Sequence, residues 1–162
     1  MLKLEGSCRC GAVNFEADSH TPYPYQLCYC SICRKTAGGG GFAINIMAVN
    51  QSLKITGERA LGLYRAKITH GNTCETSTGE RRFCVHCASA LWLYDPSWPD
   101  LIHPFASAID TDLPVLPERT HLMLRYKAGW VQPIIGAQDL CFDEYPEASI
   151  EQWHRQRGLW LD

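Results

Sequence analysis

A chain of 162 residues with 46% hydrophobic and 20% charged residues suits one folded domain with a sizeable core. The formal net charge of -2, without any basic tract, speaks against nucleic acid as a partner, because phosphate recognition needs clustered positive charge. No apolar run reaches the ~18 residues that would cross a membrane, and the opening stretch MLKLEGSCRC has no apolar signal core, so the expected setting is the reducing cytoplasm. In chain order, AVNFEAD (12–18) alternates Val13, Phe15 and Ala17 with Asn14, Glu16 and Asp18, the pattern of a half-buried strand. SICRKTA (31–37) predicts a short helix stopped by Gly38. GFAINIMAV (41–49) is an apolar run of strand length, and LKITGE (53–58) ends in a glycine turn. LGLYRAKI (61–68) sets Tyr64, Ala66 and Ile68 against Arg65 and Lys67. Further strands are expected in ASALWLYD (88–95), LIHPFASAI (101–109) and HLMLRYK (121–127), with Pro104 limiting the second of these to an edge. Ser149 and Gln152 have capping-box spacing at the start of a helix that Gly158 would stop, placing it at about 149–158. The expectation is a mainly β domain over residues 1–162 with little helix.

The cysteines carry the chemistry. There are nine, an odd number that cannot pair fully into disulfides. Seven fall into three close groups: Cys8 and Cys10 in GSCRCGAV, Cys28, Cys30 and Cys33 in CYCSIC, and Cys84 and Cys87 in RRFCVHCA. Such spacings let two thiolates reach one ion from a tight backbone turn, at about 2.3 Å each. Seven divides as four plus three. The two outer pairs would make a closed four-thiolate structural zinc, and the middle group a three-ligand zinc that keeps a position for water or substrate. Other divisions remain. One ion could be shared among any four thiols, Cys74, His70 or His86 could complete the middle site, or a Cys-x-x-Cys could serve redox chemistry without the usual βαβ setting. Cys74 and Cys141 lack partner spacing and read as buried small hydrophobes. His86 reads as exposed, and the five tryptophans as core or cover.

GSCRCGAVNFE, CYCSICRKTAG and RRFCVHCASALW, taken in that order, resemble the glutathione-dependent formaldehyde-activating enzyme family, which includes centromere protein V. The resemblance spans about residues 5–132, with ERTHLMLRYKAGWVQ (118–132) similar to the family's later strands. It implies an Mss4-like fold of coiled antiparallel sheets. It also implies that Cys8, Cys10, Cys84 and Cys87 hold a structural zinc and that Cys28, Cys30 and Cys33 hold a catalytic one, two zinc ions per chain. The implied activity is that of a carbon–sulfur lyase acting on a thiol–aldehyde adduct such as S-(hydroxymethyl)glutathione. Its partners would be a small thiol and a small aldehyde, with no nucleic acid and no membrane. Ala88 stands where the family usually has glycine, and Arg9 and Tyr29 stand where histidine is common. None of these is a ligand.

Glutathione would need cations for its two carboxylates. Arg34 and Lys35, beside the middle cysteines, are the candidates, and glycines 38–41 would let a ligand approach the backbone closely. A plain turn explains the glycines equally. Arg81 and Arg82 are further candidates that an exposed strand end would also explain. The alternative in another class is a noncatalytic zinc-stabilised β-domain that binds a protein partner. A fourth protein ligand on the middle site would favour it.

Overall fold

The computed structural model describes residues 1–162, with His70 described by its backbone alone. The strands and helices in chain order are β1 (Leu2–Ser7), β2 (Asn14–Ser19), β3 (Gln26–Cys28), α1 (Ser31–Ala37), β4 (Ala43–Ile44), β5 (Ala48–Val49), β6 (Lys54–Thr56), β7 (Leu61–His70), β8 (Thr73–Cys84), β9 (Ala90–Tyr94), β10 (Leu101–Pro104), β11 (Thr120–Leu122), β12 (Leu140–Cys141) and α2 (Ile150–Gln156). They build three sheets: an antiparallel sheet β1-β2-β6, an antiparallel sheet β5-β10-β9-β8-β7, and a small sheet β12-β11-β3-β4. The small sheet is mixed, because β11 runs parallel to both β3 and β12.

β2 forms as its alternation predicts, with Phe15 and Ala17 in the core and Asn14, Glu16 and Asp18 turned outward. Leu4, Phe15, Leu91, Trp92 and Ile102 interlock between the first two sheets. A second cluster, Cys28, Cys33, Ala43, Phe105 and Leu122, fills the space between the five-stranded sheet and the mixed sheet, with Ala90 and Leu93 packed on it. No helix is long and apolar enough to cross a membrane.

Three strand expectations are corrected. The apolar run 41–49 is two strands rather than one, because the chain changes sheet within it: β4 pairs with β3, and β5 pairs with β10. β10 is not an edge strand but lies between β5 and β9. Proline is tolerated there because Pro104 is the last residue of the strand and contributes its carbonyl, which accepts from the Ile46 amide at 2.8 Å. HLMLRYK is strand only to Leu122 and then a 3-10 turn over Leu124–Tyr126, entered through Met123 at φ +61°. Both helices form where their caps predict them. Ser149 and Gln152 close a reciprocal capping box at 3.1 and 2.9 Å.

Candidate functional site

Each cysteine group sits where a strand turns. Cys8 follows β1, and a tight loop returns the chain to β2: Cys8 N–H bonds the Val13 carbonyl, and Gly11, at φ +76°, bonds the Cys8 carbonyl. Val13 N–H then points at the Cys8 sulfur, 3.3 Å away. Cys84 ends β8, and its carbonyl accepts from Ala88 N–H at 2.8 Å, which folds Cys87 back beside it. Ala88 adopts φ +60°, the left-handed region that glycine occupies without strain.

The two turns meet. The sulfurs of Cys8, Cys10, Cys84 and Cys87 all lie within 4.8 Å of one another. Cys8 and Cys10 are 3.5 Å apart and Cys10 and Cys84 3.7 Å. These separations exceed a disulfide bond of about 2.0 Å and match the ~3.8 Å edge of a tetrahedron with 2.3 Å zinc–sulfur bonds. Ser89 ties the turns together, its hydroxyl lying 3.2 Å from the Cys87 sulfur and accepting from Arg9 N–H at 3.0 Å. The Ser89 hydrogen bond, aided by the Ser89 and Cys10 amides, brings the Cys87 thiol down to about 5.

Cys28, Cys30 and Cys33 converge at the junction of β3 and α1, their sulfurs again within 4.8 Å. Cys28 ends β3, Cys30 is the N-cap of α1 and Cys33 lies in its first turn. The Cys30 sulfur accepts from Cys33 N–H at 3.3 Å. Cys28 and Cys33 are buried, and Cys30 is the most open of the three. Hydrogen bonds from Cys28 and Cys33 hold the Cys30 thiol down at about 2, while the same contacts and burial drive Cys28 up. The trio thus takes one negative charge readily and resists more, which is the condition a cation relieves. Among the described residues no fourth carboxylate, histidine or cysteine joins the group. Cys74 is exposed on β8, and His86 is exposed in the turn before Cys87. The His70 side chain lies outside the described residues.

The strand holding this cluster is clamped from its other face. Tyr29, between Cys28 and Cys30, is fully buried, and its hydroxyl meets His121 Nδ1 at 2.8 Å. His121 Nε2 lies 3.0 Å from Asp139. Burial alone would raise the Asp139 carboxyl, but the Gly136 amide, His121 and Arg119 hold it well below the usual carboxylate range. Tyr29 and Asp139 thus engage the two ring nitrogens of His121 from opposite ends and fix its orientation.

Of the expected substrate contacts, Arg34 is half-buried, and its Nε has no partner among the described residues. Lys35 is exposed. Gly38 and Gly41 serve the chain itself: a Cβ on Gly38 would lie 2.3 Å from the Phe42 carbonyl oxygen, and one on Gly41 would lie 2.4 Å from Val131. Arg81 and Arg82 are separated by the alternation of β8. Arg82 pairs with Glu80 at 2.6 Å, whereas Arg81 Nη2 reaches the Cys33 sulfur at 3.7 Å and its buried Nε has no partner among the described residues.

Sequence reasoning missed Tyr145. Leu122 is in register with Cys28, and the next residue, Met123, bonds the Glu144 carbonyl at 2.9 Å, which carries Tyr145 toward the trio. The residue is 74% exposed, yet its phenol is pushed up by the protein around it and then by the charge of all three thiols. No motif flags a tyrosine in a segment of turns. Cys74 and Cys141 are corrected: both are exposed rather than buried, because the outer part of β8 and the two-residue β12 carry no core face.

The glutathione-dependent formaldehyde-activating enzyme family model matches residues 3–124. A curated protein of Halomonas elongata, bearing the provisional name glutathione-dependent formaldehyde-activating enzyme, is 56% identical over 158 residues, 98% of each chain. A crystal structure of a Rhodobacter sphaeroides protein superposes with a TM-score of 0.50 at 26% identity, covering 70% of this chain and 92% of that one. A match over most of the chain's length, on the segment that carries all seven clustered cysteines, places this protein in the glutathione-dependent formaldehyde-activating enzyme family.

Proposed function

We propose that residues 1–162 form a single zinc-binding domain with carbon–sulfur lyase activity, joining a small thiol to a small aldehyde and reversing that reaction. Glutathione and formaldehyde, giving S-(hydroxymethyl)glutathione, are the substrates that the family and the Halomonas relative's name suggest. The observation that carries this reading is the three-thiol cluster without a fourth ligand among the described residues, beside a guanidinium that is partly free. Zinc on Cys28, Cys30 and Cys33 would supply a Lewis acid with a vacant position, at which a substrate thiol loses its proton readily. Cys8, Cys10, Cys84 and Cys87 would hold a second, closed zinc with a structural role.

The reaction forms a bond from thiol sulfur to carbonyl carbon as the carbonyl π bond breaks, and moves the thiol proton to the carbonyl oxygen; nothing is oxidised. Arg81, 3.7 Å from the Cys33 sulfur, would offset the negative charge of the thiolates and of an anionic thiol substrate brought beside them. The half-buried Arg34 is a cation for one substrate carboxylate, and the exposed Lys35 is a solvent-side cation for the other. Tyr145 keeps its proton at neutral pH and can donate a hydrogen bond to the carbonyl oxygen. Seven ligand thiols need a reducing compartment to stay unpaired, which supports the cytoplasm as the location.

The test measures metal content together with turnover. Two zinc ions per chain are expected, and NMR exchange spectroscopy of glutathione and formaldehyde should show interconversion faster than without protein. Fully loaded protein that leaves the exchange rate at background would overturn the glutathione assignment. If it also binds no other small thiol, the partner-binding alternative takes its place.

A further inference from the structure

β7 is the outer strand of the five-stranded sheet, and the register of β7, β8 and β9 fixes which side chains share a face with the three-thiol cluster. Residues opposite one another on antiparallel strands point to the same face, with Cβ atoms about 5 Å apart. Tyr64 lies opposite Arg81, and Arg81 opposite Leu93. Gly62 lies opposite Phe83, and Phe83 opposite Ala90. Arg81 marks the face, because its Nη2 is 3.7 Å from the Cys33 sulfur. Ala90 and Leu93 mark it too, because both pack on the cluster that contains Cys28 and Cys33. Tyr64 and Phe83 therefore project from the face that meets the three thiols.

The mixed sheet covers this face only in part. Ala90 and Leu93 on β9 are packed beneath it, whereas Tyr64, two strands further out, is 46% exposed. Phe83 is half-buried. Neither ring belongs to any of the packed apolar clusters. The Phe83 ring lies over Gly62, where a Cβ would meet it at 2.4 Å, so glycine is needed for this ring position. The two rings thus form an aromatic shelf that runs from Arg81 to the sheet edge. Aromatic rings beside a reactive group are the usual contact surface for planar or apolar parts of a ligand. We infer that Tyr64 and Phe83 form a subsite for the body of the thiol substrate, so that the site favours thiols carrying a planar or apolar group a few bonds from sulfur. This subsite rests on the lyase reading: the sulfur goes to the three-thiol cluster, and formaldehyde has no body for the shelf to hold. Tyr64 sets specificity rather than chemistry, since it meets the body and not the reacting atoms.

The experiment uses the full chain loaded with zinc and carrying ¹³C in its tyrosine rings, titrated with ethanethiol and with 2-phenylethanethiol. The Tyr64 signals are assigned by Tyr64→Phe. 2-Phenylethanethiol should bind about tenfold more tightly than ethanethiol and should move the Tyr64 ring signals, which ethanethiol leaves in place. Tyr64→Thr, an exposed change to a residue that favours strands, should remove most of that preference and leave ethanethiol binding unchanged. Tyr64→Phe keeps the ring and should keep the preference. Equal affinities in the wild-type protein overturn the inference, as do unmoved Tyr64 signals or a preference that survives Tyr64→Thr. Sedimentation that shows a dimer dissociating on Tyr64→Thr also overturns it, because a second copy would then cover the shelf. The wild-type titration decides the question alone if Tyr64→Thr does not fold. Ethanethiol binding reports separately on the lyase reading. If neither thiol binds the loaded protein, that reading falls and the subsite with it, whereas if both bind alike only the subsite falls.

Discussion

The two cysteine clusters are made of the same part, a strand end that turns and aims a backbone amide at a sulfur, yet they differ in what surrounds them. The four-thiol cluster joins the first sheet to the second, across 74 residues of chain between Cys10 and Cys84. Ser89 ties its two turns together, and its four sulfurs lie within 4.8 Å of one another. The three-thiol cluster is local, contained within six residues at the junction of β3 and α1. Instead of a fourth sulfur it has Arg81 beside Cys33 and Tyr145 on a nearby strap. On the proposed reading, the four-sulfur set between distant strands is a staple and the three-sulfur set beside a guanidinium is a place for a guest.

The largest effect should come from breaking the staple. Structural zinc binding in small domains is worth about 10–16 kcal/mol, comparable to a whole domain's stability of about 5–15 kcal/mol. Cys84→Ser should therefore lose soluble, folded protein along with one zinc, as read by circular dichroism and metal analysis. A folded Cys84→Ser protein with undiminished zinc would remove the distinction between the clusters. Cys30→Ser should behave oppositely. Serine is a preferred helix N-cap, so it can replace the sulfur that now accepts from Cys33 N–H, and α1 should persist. One zinc and the proposed thiol–aldehyde lyase activity should be lost while thermal unfolding stays cooperative. Loss of the fold in this variant would mean that both clusters are structural.

Arg81→Gln probes the open site without touching a ligand. Removal of a group that supports metal ligands costs about 10–100-fold in affinity or activity. The loss should appear in thiol turnover and central-site zinc affinity, with the four-thiol zinc unchanged. Arg81→Lys should recover only part of it, because a lysine point charge does not reproduce the guanidinium fork. Equal zinc affinity and turnover in Arg81→Gln would make the arginine a bystander. The smallest effect sharpens the closed site. Ala88 at φ +60° carries strain that glycine would relieve, so Ala88→Gly should stabilise by about 1 kcal/mol, reduced by the entropy glycine gains in the unfolded chain. A rise in melting temperature with unchanged activity is expected, and a fall would mean that the turn relaxes otherwise.

Much of this was legible in the sequence because it is local. The cysteine spacings imply turns that can share an ion, and the count of seven suggests four plus three. Ser149 with Gln152, and Gly38, mark the helix ends through hydrogen bonds that reach only a few residues. The alternation in β2 names its buried face. β8 was not legible: its outer part, TCETSTGE, has no apolar alternation, and it is strand because β7 supplies its backbone partners, with β9 joining only from Glu80 onward. The break in the run 41–49 was hidden for a related reason, since an apolar stretch does not show at which residue it changes sheet.

The sequence by itself determined the chemistry available: seven thiols in three groups, each with a turn that can present them, and helix caps that act over three or four residues. The tertiary structure decided which groups meet. Only the antiparallel pairing of β7, β8 and β9 brings Cys84 and Cys87 to Cys8 and Cys10 and turns Arg81, rather than Arg82, toward Cys33. The parallel pairing of β11 with β3 likewise carries Tyr145 toward the trio from beyond the matched family region. The physical reason is range. Turn and cap energies depend on neighbours in sequence, whereas the choice of a distant partner is set by burial and sheet register over the whole chain, which no short stretch contains.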